Sequence, residues 1–86
     1  MDINYFKEFV TIVEAGTYLE AAERLFISQS TLSRHIQNFE AELGCILFER
    51  TTRKVRLSKF GEIMLPYAKR IIETQKEYTQ AILQNL

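Results

Sequence analysis

A single cysteine, a single histidine and a single proline stand in 86 residues, and tryptophan is missing altogether. Cys45 alone cannot close a disulfide within the chain, and Cys45 with His35 cannot supply the ligand set of a structural zinc. No apolar run approaches the length of a membrane span, and the opening Met1-Asp2-Ile3-Asn4 lacks the basic then apolar pattern of a signal peptide. A cytoplasmic protein without membrane contact is expected. Three glycines and one proline exclude a low-complexity or disordered chain, and at 47% hydrophobic and 26% charged the composition is that of an ordinary folded domain. A chain this short buries only about 60 to 65% of the surface it exposes when unfolded, too little core for a deep catalytic cleft. No acid, base and nucleophile come together at spacings that suggest a site, so an enzyme is not expected.

Net charge is also missing: eleven basic residues balance eleven acidic ones. Phosphate neutralisation is the largest sequence-independent part of nucleic-acid binding, so zero net charge argues at first against such a partner. The distribution reverses the inference. Arg50, Arg53, Lys54, Arg56 and Lys59 follow one another without an acidic residue among them, whereas Asp2, Glu8, Glu14, Glu20 and Glu23 fall near the start of the chain.

What is present is mostly helical periodicity. Phe6, Phe9, Val10 and Val13 share one face of a first helix, with Asp2 placed to cap its start and Gly16 to end it. Thr17-Tyr18-Leu19-Glu20 has the spacing of a capping box, in which the Thr17 hydroxyl accepts from the Glu20 amide and the Glu20 carboxylate reaches back to the Thr17 amide. Behind it Tyr18, Ala21, Ala22 and Leu25 give a short second helix whose small alanines allow close approach. Phe26-Ile27 is a turn, Ser28 an N-cap, and Leu32, Ile36, Phe39 and Leu43 form the inward stripe of a third helix that Gly44 ends. Then the pattern changes: Leu47-Phe48 and Val55-Arg56-Leu57 read as strands of a small hairpin with a basic tip. Ser58 caps a last helix from about Lys59 to the C-terminus, on the order of 40 Å long at 1.5 Å per residue. Its stripe of Met64, Tyr67, Ala68, Ile71, Ile72, Tyr78, Ile82 and Leu86 outruns the preceding elements, which predicts a partner for the free half. Pro66 within it is expected to bend the axis.

The second and third helices with their short turn make a helix-turn-helix, whose second helix fits the roughly 12 Å wide major groove. Opposite the inward stripe stand Ser30, Ser33, Arg34 and Gln37, with Gln29 in the first turn. All can hydrogen-bond a base edge or a phosphate, and Glu40 and Glu42 are kept to the far end. Arg34 suits guanine O6 and N7, Gln29 or Gln37 suits adenine, and the amides near Ser28 to Thr31 sit at the positive end of the helix. Arg53 and Lys54 at the hairpin tip would lie beside the duplex. A polar face with one arginine is also what any solvated helix shows; the basic hairpin is what raises the nucleic-acid reading above it.

The run Ala21-Ala22-Glu23-Arg24-Leu25-Phe26-Ile27-Ser28-Gln29-Ser30-Thr31-Leu32-Ser33-Arg34-His35-Ile36 resembles the helix-turn-helix signature of the LysR-type transcriptional regulators. Glu42-Leu43-Gly44, Leu47-Phe48-Glu49-Arg50 with Arg53, Arg56-Leu57-Ser58 and Gly61 are similar too. The resemblance implies a mostly α winged helix-turn-helix domain, residues 1–58, followed by a linker and dimerisation helix, residues 59–86, that pairs antiparallel with its counterpart in a homodimer. It implies sequence-specific binding of double-stranded DNA and regulation of transcription. By position, Gln29, Ser30, Thr31, Ser33 and Arg34 match the family's recognition-helix contacts, and Arg50, Thr51 and Arg53 its wing; Ser28, Gln37 and Lys54 join the expected DNA contacts from the reading of the residues above. Met64, Tyr67, Ala68, Ile71, Tyr78 and Ile82 are the expected dimer contacts. No cofactor is expected within the chain; a small-molecule inducer would bind an effector domain that these 86 residues do not include. Phe60 stands where the family has a small residue, and Thr52-Arg53-Lys54 lacks the glycine common in that turn.

Three residue types have plainer readings. Tyr5, Tyr18, Tyr67 and Tyr78 suit core or dimer contacts better than stacking on single strands, because they are not interleaved with the basic cluster. Cys45 is expected as a small buried hydrophobe, and His35 on the flank of the third helix as solvent-exposed before a phosphate contact. The competing function is a helical protein–protein interaction module without DNA binding, favoured by the zero net charge and the long apolar stripe.

Overall fold

A computed structural model describes residues 1–49 and 54–86. In order along the chain the elements are α1 (Ile3–Ala15), α2 (Tyr18–Leu25), α3 (Gln29–Leu43), β1 (Phe48–Glu49), β2 (Arg56–Leu57) and α4 (Lys59–Leu83). Each of these helices starts on a side chain that satisfies a first-turn amide: Asp2 accepts from Asn4, Thr17 from Glu20, Ser28 from Thr31 and Ser58 from Gly61. Helices α1 and α3 stop on Gly16 and Gly44 at φ of 86° and 77°, a left-handed conformation that glycine adopts without a Cβ penalty. Helix α2 stops on Phe26 at φ 58°, where a non-glycine residue is strained and its ring is 94% exposed. The capping box is half formed, because the Glu20 carboxylate turns to Arg24 at 3.4 Å rather than back to Thr17.

Phe9, Ile12, Leu32, Phe39, Leu47 and Ala68 are fully buried and bring α1, α3, the start of the hairpin and α4 into one core. Phe39 is its aromatic hub, with ring centroids 5.1 Å from Phe6, 5.8 Å from Tyr5 and 6.3 Å from Phe9. Phe48 carries the cluster onward to Phe9 at 5.3 Å and Tyr18 at 6.0 Å. Ala21 and Ala22 are buried where α2 meets its neighbours, as their size predicts. Leu43 and Cys45 are only half-buried, at the rim of this core and not inside it.

The strands pair antiparallel, Phe48 opposite Leu57 and Glu49 opposite Arg56. Their roots are tied down at both ends: the Val55 amide donates to the Gly16 carbonyl at 2.9 Å, and the Ser58 amide to the Leu47 carbonyl at 2.9 Å. The hairpin is therefore fastened to the α1–α2 turn as well as to itself.

Ser58/Lys59, expected as a domain boundary, separates two elements but not two cores. Gly61 and Ala68 of α4 are buried in the main core, and Met64, Leu65 and Ile72 pack against it. Helix α4 runs through Pro66 without interruption. The anchored residues on either side of Pro66 hold the helix where the proline removes a backbone donor.

Candidate nucleic-acid interface

Helix α3 has one apolar and one polar side, and burial assigns each. Leu32, Ile36 and Phe39 are buried, whereas Gln29, Ser30, Arg34 and Gln37 are exposed and Thr31 and Ser33 half-exposed. The Ser28 hydroxyl accepts from the Thr31 amide at 3.1 Å and donates to the Thr31 hydroxyl at 2.9 Å, with Ser30 Oγ a further 3.1 Å contact. Ser28 thus shapes the first turn and leaves the amides of Gln29 and Ser30, which have no carbonyl four residues behind them within the helix, pointing outward at its positive end. Among the described residues no carboxylate pairs with the Arg34 guanidinium, so its donor fork stands open. The face offers hydrogen-bond donors and acceptors, a cation and no acid until Glu40.

Arg50, Thr51 and Arg53 lie outside the described residues. Lys54 and Arg56 are exposed on the returning limb of the hairpin, and Lys59 begins α4 with its ammonium 5.2 Å from the Phe60 ring centroid. These are exposed cations of the described part of the hairpin and of the start of α4.

Two side chains act in ways that sequence reading does not reveal. His35 is not simply solvated: Nδ1 lies 2.8 Å from Glu8 Oε2 and 3.0 Å from Oε1, with the Tyr5 ring 5.7 Å away. A carboxylate only accepts, so Nδ1 carries the proton and donates. Glu8 is 6% exposed, and this bond secures α3 to α1 beside the reading face. Glu40, the other case, sends its carboxylate across to the hairpin root, where Oε2 accepts from the Leu47 amide at 2.6 Å and the Phe48 amide at 3.4 Å.

The expected dimer residues divide. Ala68 is fully buried and Met64 packs on the core, so both belong to the protomer's interior. Tyr67, Tyr78 and Ile82 remain 53–57% exposed and Ile71 is half-buried. Tyr67, Ile71 and Tyr78 line an open groove of about 310 Å³ together with Ile3, Arg70, Thr74 and Gln75. The Arg70 guanidinium lies over the Tyr67 ring at 4.8 Å, covering part of that surface with its own side chain. No helix among the described residues is long and apolar enough to cross a membrane.

A tri-helical core carrying a polar second helix of a helix-turn-helix, a two-stranded hairpin and a trailing helix is a winged helix-turn-helix, the hairpin being the wing. The model of one family, bacterial regulatory helix-turn-helix proteins of the lysR family, matches residues 3–62. The chain belongs to that family. Among its relatives, the HTH-type transcriptional regulator CitR of Bacillus subtilis (strain 168) is 40% identical over 73 residues, covering 85% of this chain and 25% of CitR. TfdT of Cupriavidus pinatubonensis (strain JMP 134 / LMG 1197), another HTH-type transcriptional regulator, is 43% identical over 72 residues, covering 84% of this chain and 32% of TfdT. The chain thus spans about a quarter to a third of the length of these curated relatives. Of solved structures, the BenM_DBD/benA site 1 DNA complex superposes with a TM-score of 0.94 at 32% identity, covering 100% of both chains. Full-length CbnR complexed with its target DNA gives a TM-score of 0.88 at 36% identity, over 94% of this chain and 28% of that one.

Proposed function

We propose that this chain binds double-stranded DNA by sequence, with α3 in the major groove and the wing beside the duplex, and that it does so as a homodimer to regulate transcription. The observation that carries the reading is the exposed face of Gln29, Ser30, Arg34 and Gln37, with Ser33 at its margin, on a helix whose opposite side is buried. The BenM_DBD and CbnR structures, which are complexes with DNA, support it by likeness of fold. In this reading Arg34 and the two glutamines contact bases, while Ser30, Thr31, Ser33 and the open amides of the first turn seat phosphates. Ser28 acts through the shape of that turn. Arg50, Thr51, Arg53 and Lys54 would neutralise the backbone from the wing. Tyr67, Ile71, Tyr78 and Ile82 would meet a second copy and set two α3 helices one DNA turn apart, about 34 Å, or a multiple of it.

A regulator that reads bacterial DNA works in the cytoplasm and carries out no reaction of its own. We place no cofactor in the chain, and an inducer would act through the remainder of a protein as long as CitR or TfdT. The test is selection of bound fragments from a random DNA pool, followed by Arg34→Ala. That variant should lose about 1 to 3 kcal/mol on the selected site and relax the base preference there. Equal losses on selected and random DNA would remove Arg34 from base recognition, and no binding by the parent protein would end the reading.

A further inference from the structure

Glu40 sits on α3, three residues beyond Gln37, yet its carboxylate is used by another element. Oε2 accepts the backbone amides of Leu47, at 2.6 Å, and Phe48, at 3.4 Å, where the chain enters the wing. The main chain of the same residue also holds the intervening turn, since the Glu40 carbonyl accepts from Gly44 at 2.8 Å and Cys45 at 3.2 Å. From Leu47 the connection continues: its carbonyl accepts from the Ser58 amide at 2.9 Å, and the Ser58 hydroxyl donates to Ile46. Both limbs of the wing are thereby referred to one side chain of the reading helix. Phe48 also faces Leu57 in the strand pair, so a shift at Phe48 moves Arg56 with it.

We propose that Glu40 is a positioning residue for DNA recognition, fixing the limb of the wing that carries Lys54 and Arg56 at a set distance and angle from the reading face of α3. The inference rests on the DNA-binding reading above. Charge and position make opposite predictions here. Deleting a carboxylate near DNA removes repulsion and by Coulomb's law alone tightens binding. Deleting the acceptor releases two amides, lets the wing swing, and loosens binding.

The experiment measures salt-dependent affinity of the whole chain for selected and random DNA, with thermal melts to establish the folded fraction. Glu40→Ala should bind both DNAs more weakly, on the order of 10-fold at about 0.1 M salt, with the salt slope shallower by about 0.9 for each phosphate that the wing no longer neutralises. Base preference should remain, because Arg34, Gln29 and Gln37 are untouched. Glu40→Gln removes the same charge but keeps an acceptor, so it should bind as the parent does or more tightly. In an Arg56→Ala background, Glu40→Ala should change the slope less than it does in the parent. Unchanged slope in Glu40→Ala, or equal losses in the alanine and glutamine variants, overturns the proposal. Should Glu40→Ala fail to fold, Glu40→Asp serves instead: its carboxylate falls one methylene short of the Leu47 amide and should give the same shallower slope, and a parental slope overturns the assignment. Failure of the parent to bind DNA would count against the functional reading and not against the Glu40 tether, which protection of the Leu47 and Phe48 amides from hydrogen exchange in Glu40→Gln but not Glu40→Ala or Glu40→Asp reports independently.

Discussion

Gly61→Ala sets two effects of opposite sign against each other in one methyl group. Gly61 lies in the first turn of α4, and on helix propensity alone alanine there is better than glycine by about 1 kcal/mol. Space decides otherwise. A Cβ on Gly61 would come to 2.2 Å from the Leu47 carbonyl oxygen and 2.7 Å from Leu57 Cδ2. The leucine methyl can turn aside, but the carbonyl is fixed backbone: it accepts the Ser58 amide, and the Leu47 amide is itself held by Glu40. To reach an ordinary separation of about 3.4 Å, α4 or the wing root must move by about 1 Å, in a core where overpacking costs roughly 1 to 3 kcal/mol or more. Because the clash is with fixed backbone, its cost falls in the upper part of that range, about 2 to 3 kcal/mol, and the net expectation after the propensity gain is a loss of about 1 to 2 kcal/mol. In a thermal melt followed by helical circular dichroism that is a fall in Tm of roughly 5 to 15 °C, since 1 kcal/mol shifts a domain of this size by about 4 to 8 °C. A Tm equal to or above the parent's would show that α4 does not seat against the Leu47 carbonyl at the wing root.

Two further outcomes are expected. His35→Ala should cost about 2 to 3 kcal/mol by leaving the Glu8 carboxylate buried without its donor, while Glu8→Leu with His35→Leu should recover much of that; losses that simply add, in a double-mutant cycle by urea denaturation, would show no coupling between α1 and α3. Ile82→Glu changes a side chain exposed on the distal part of α4, so the melting of the protomer's core should move by less than about 0.5 kcal/mol while sedimentation shifts to monomer and DNA affinity falls; a dimer of parental affinity would exclude this part of α4 from the pairing surface.

The elements most legible from sequence are those whose signals are local. Asp2, Thr17, Ser28 and Ser58 cap the helices the residue pattern assigns to them, and Gly16 and Gly44 end α1 and α3, because a cap is decided by residues within one turn. The reading face of α3 is legible for the same reason: once Leu32, Ile36 and Phe39 point inward, geometry at about 100° per residue sends Ser30, Arg34 and Gln37 out. Glu8 and Glu40 are not legible. Each is a charged residue whose partner lies on another element, His35 for one and the amides of Leu47 and Phe48 for the other, and no periodicity records such a bond.

Helix α4 shows how a correct pattern can still merge two surfaces. Its apolar residues read as one wide stripe, but Gly61, Leu65, Ala68 and Ile72 centre on a direction roughly 110° around the axis from Tyr67, Ile71 and Tyr78, at about 100° per residue. The first set is consumed by the core of its own protomer, and the second stays partly open. Sequence alone cannot draw that line, because the width of an apolar arc gives the area to be covered and not the number of bodies that cover it. What divides the arc is where α1 begins: Ile3 still shares a groove with Thr74, Gln75 and Tyr78, and every residue of α4 beyond Gln75 is exposed. The remaining side chains, Tyr78, Ile82, Leu83 and Leu86, are 53–93% exposed along a helix already committed at its base, so whatever covers them must come from outside this chain. A second copy is the partner that a two-fold DNA site would require, and the rigid seat of α4 at Gly61 and Ala68 is what would carry that pairing back to the spacing of the two reading helices.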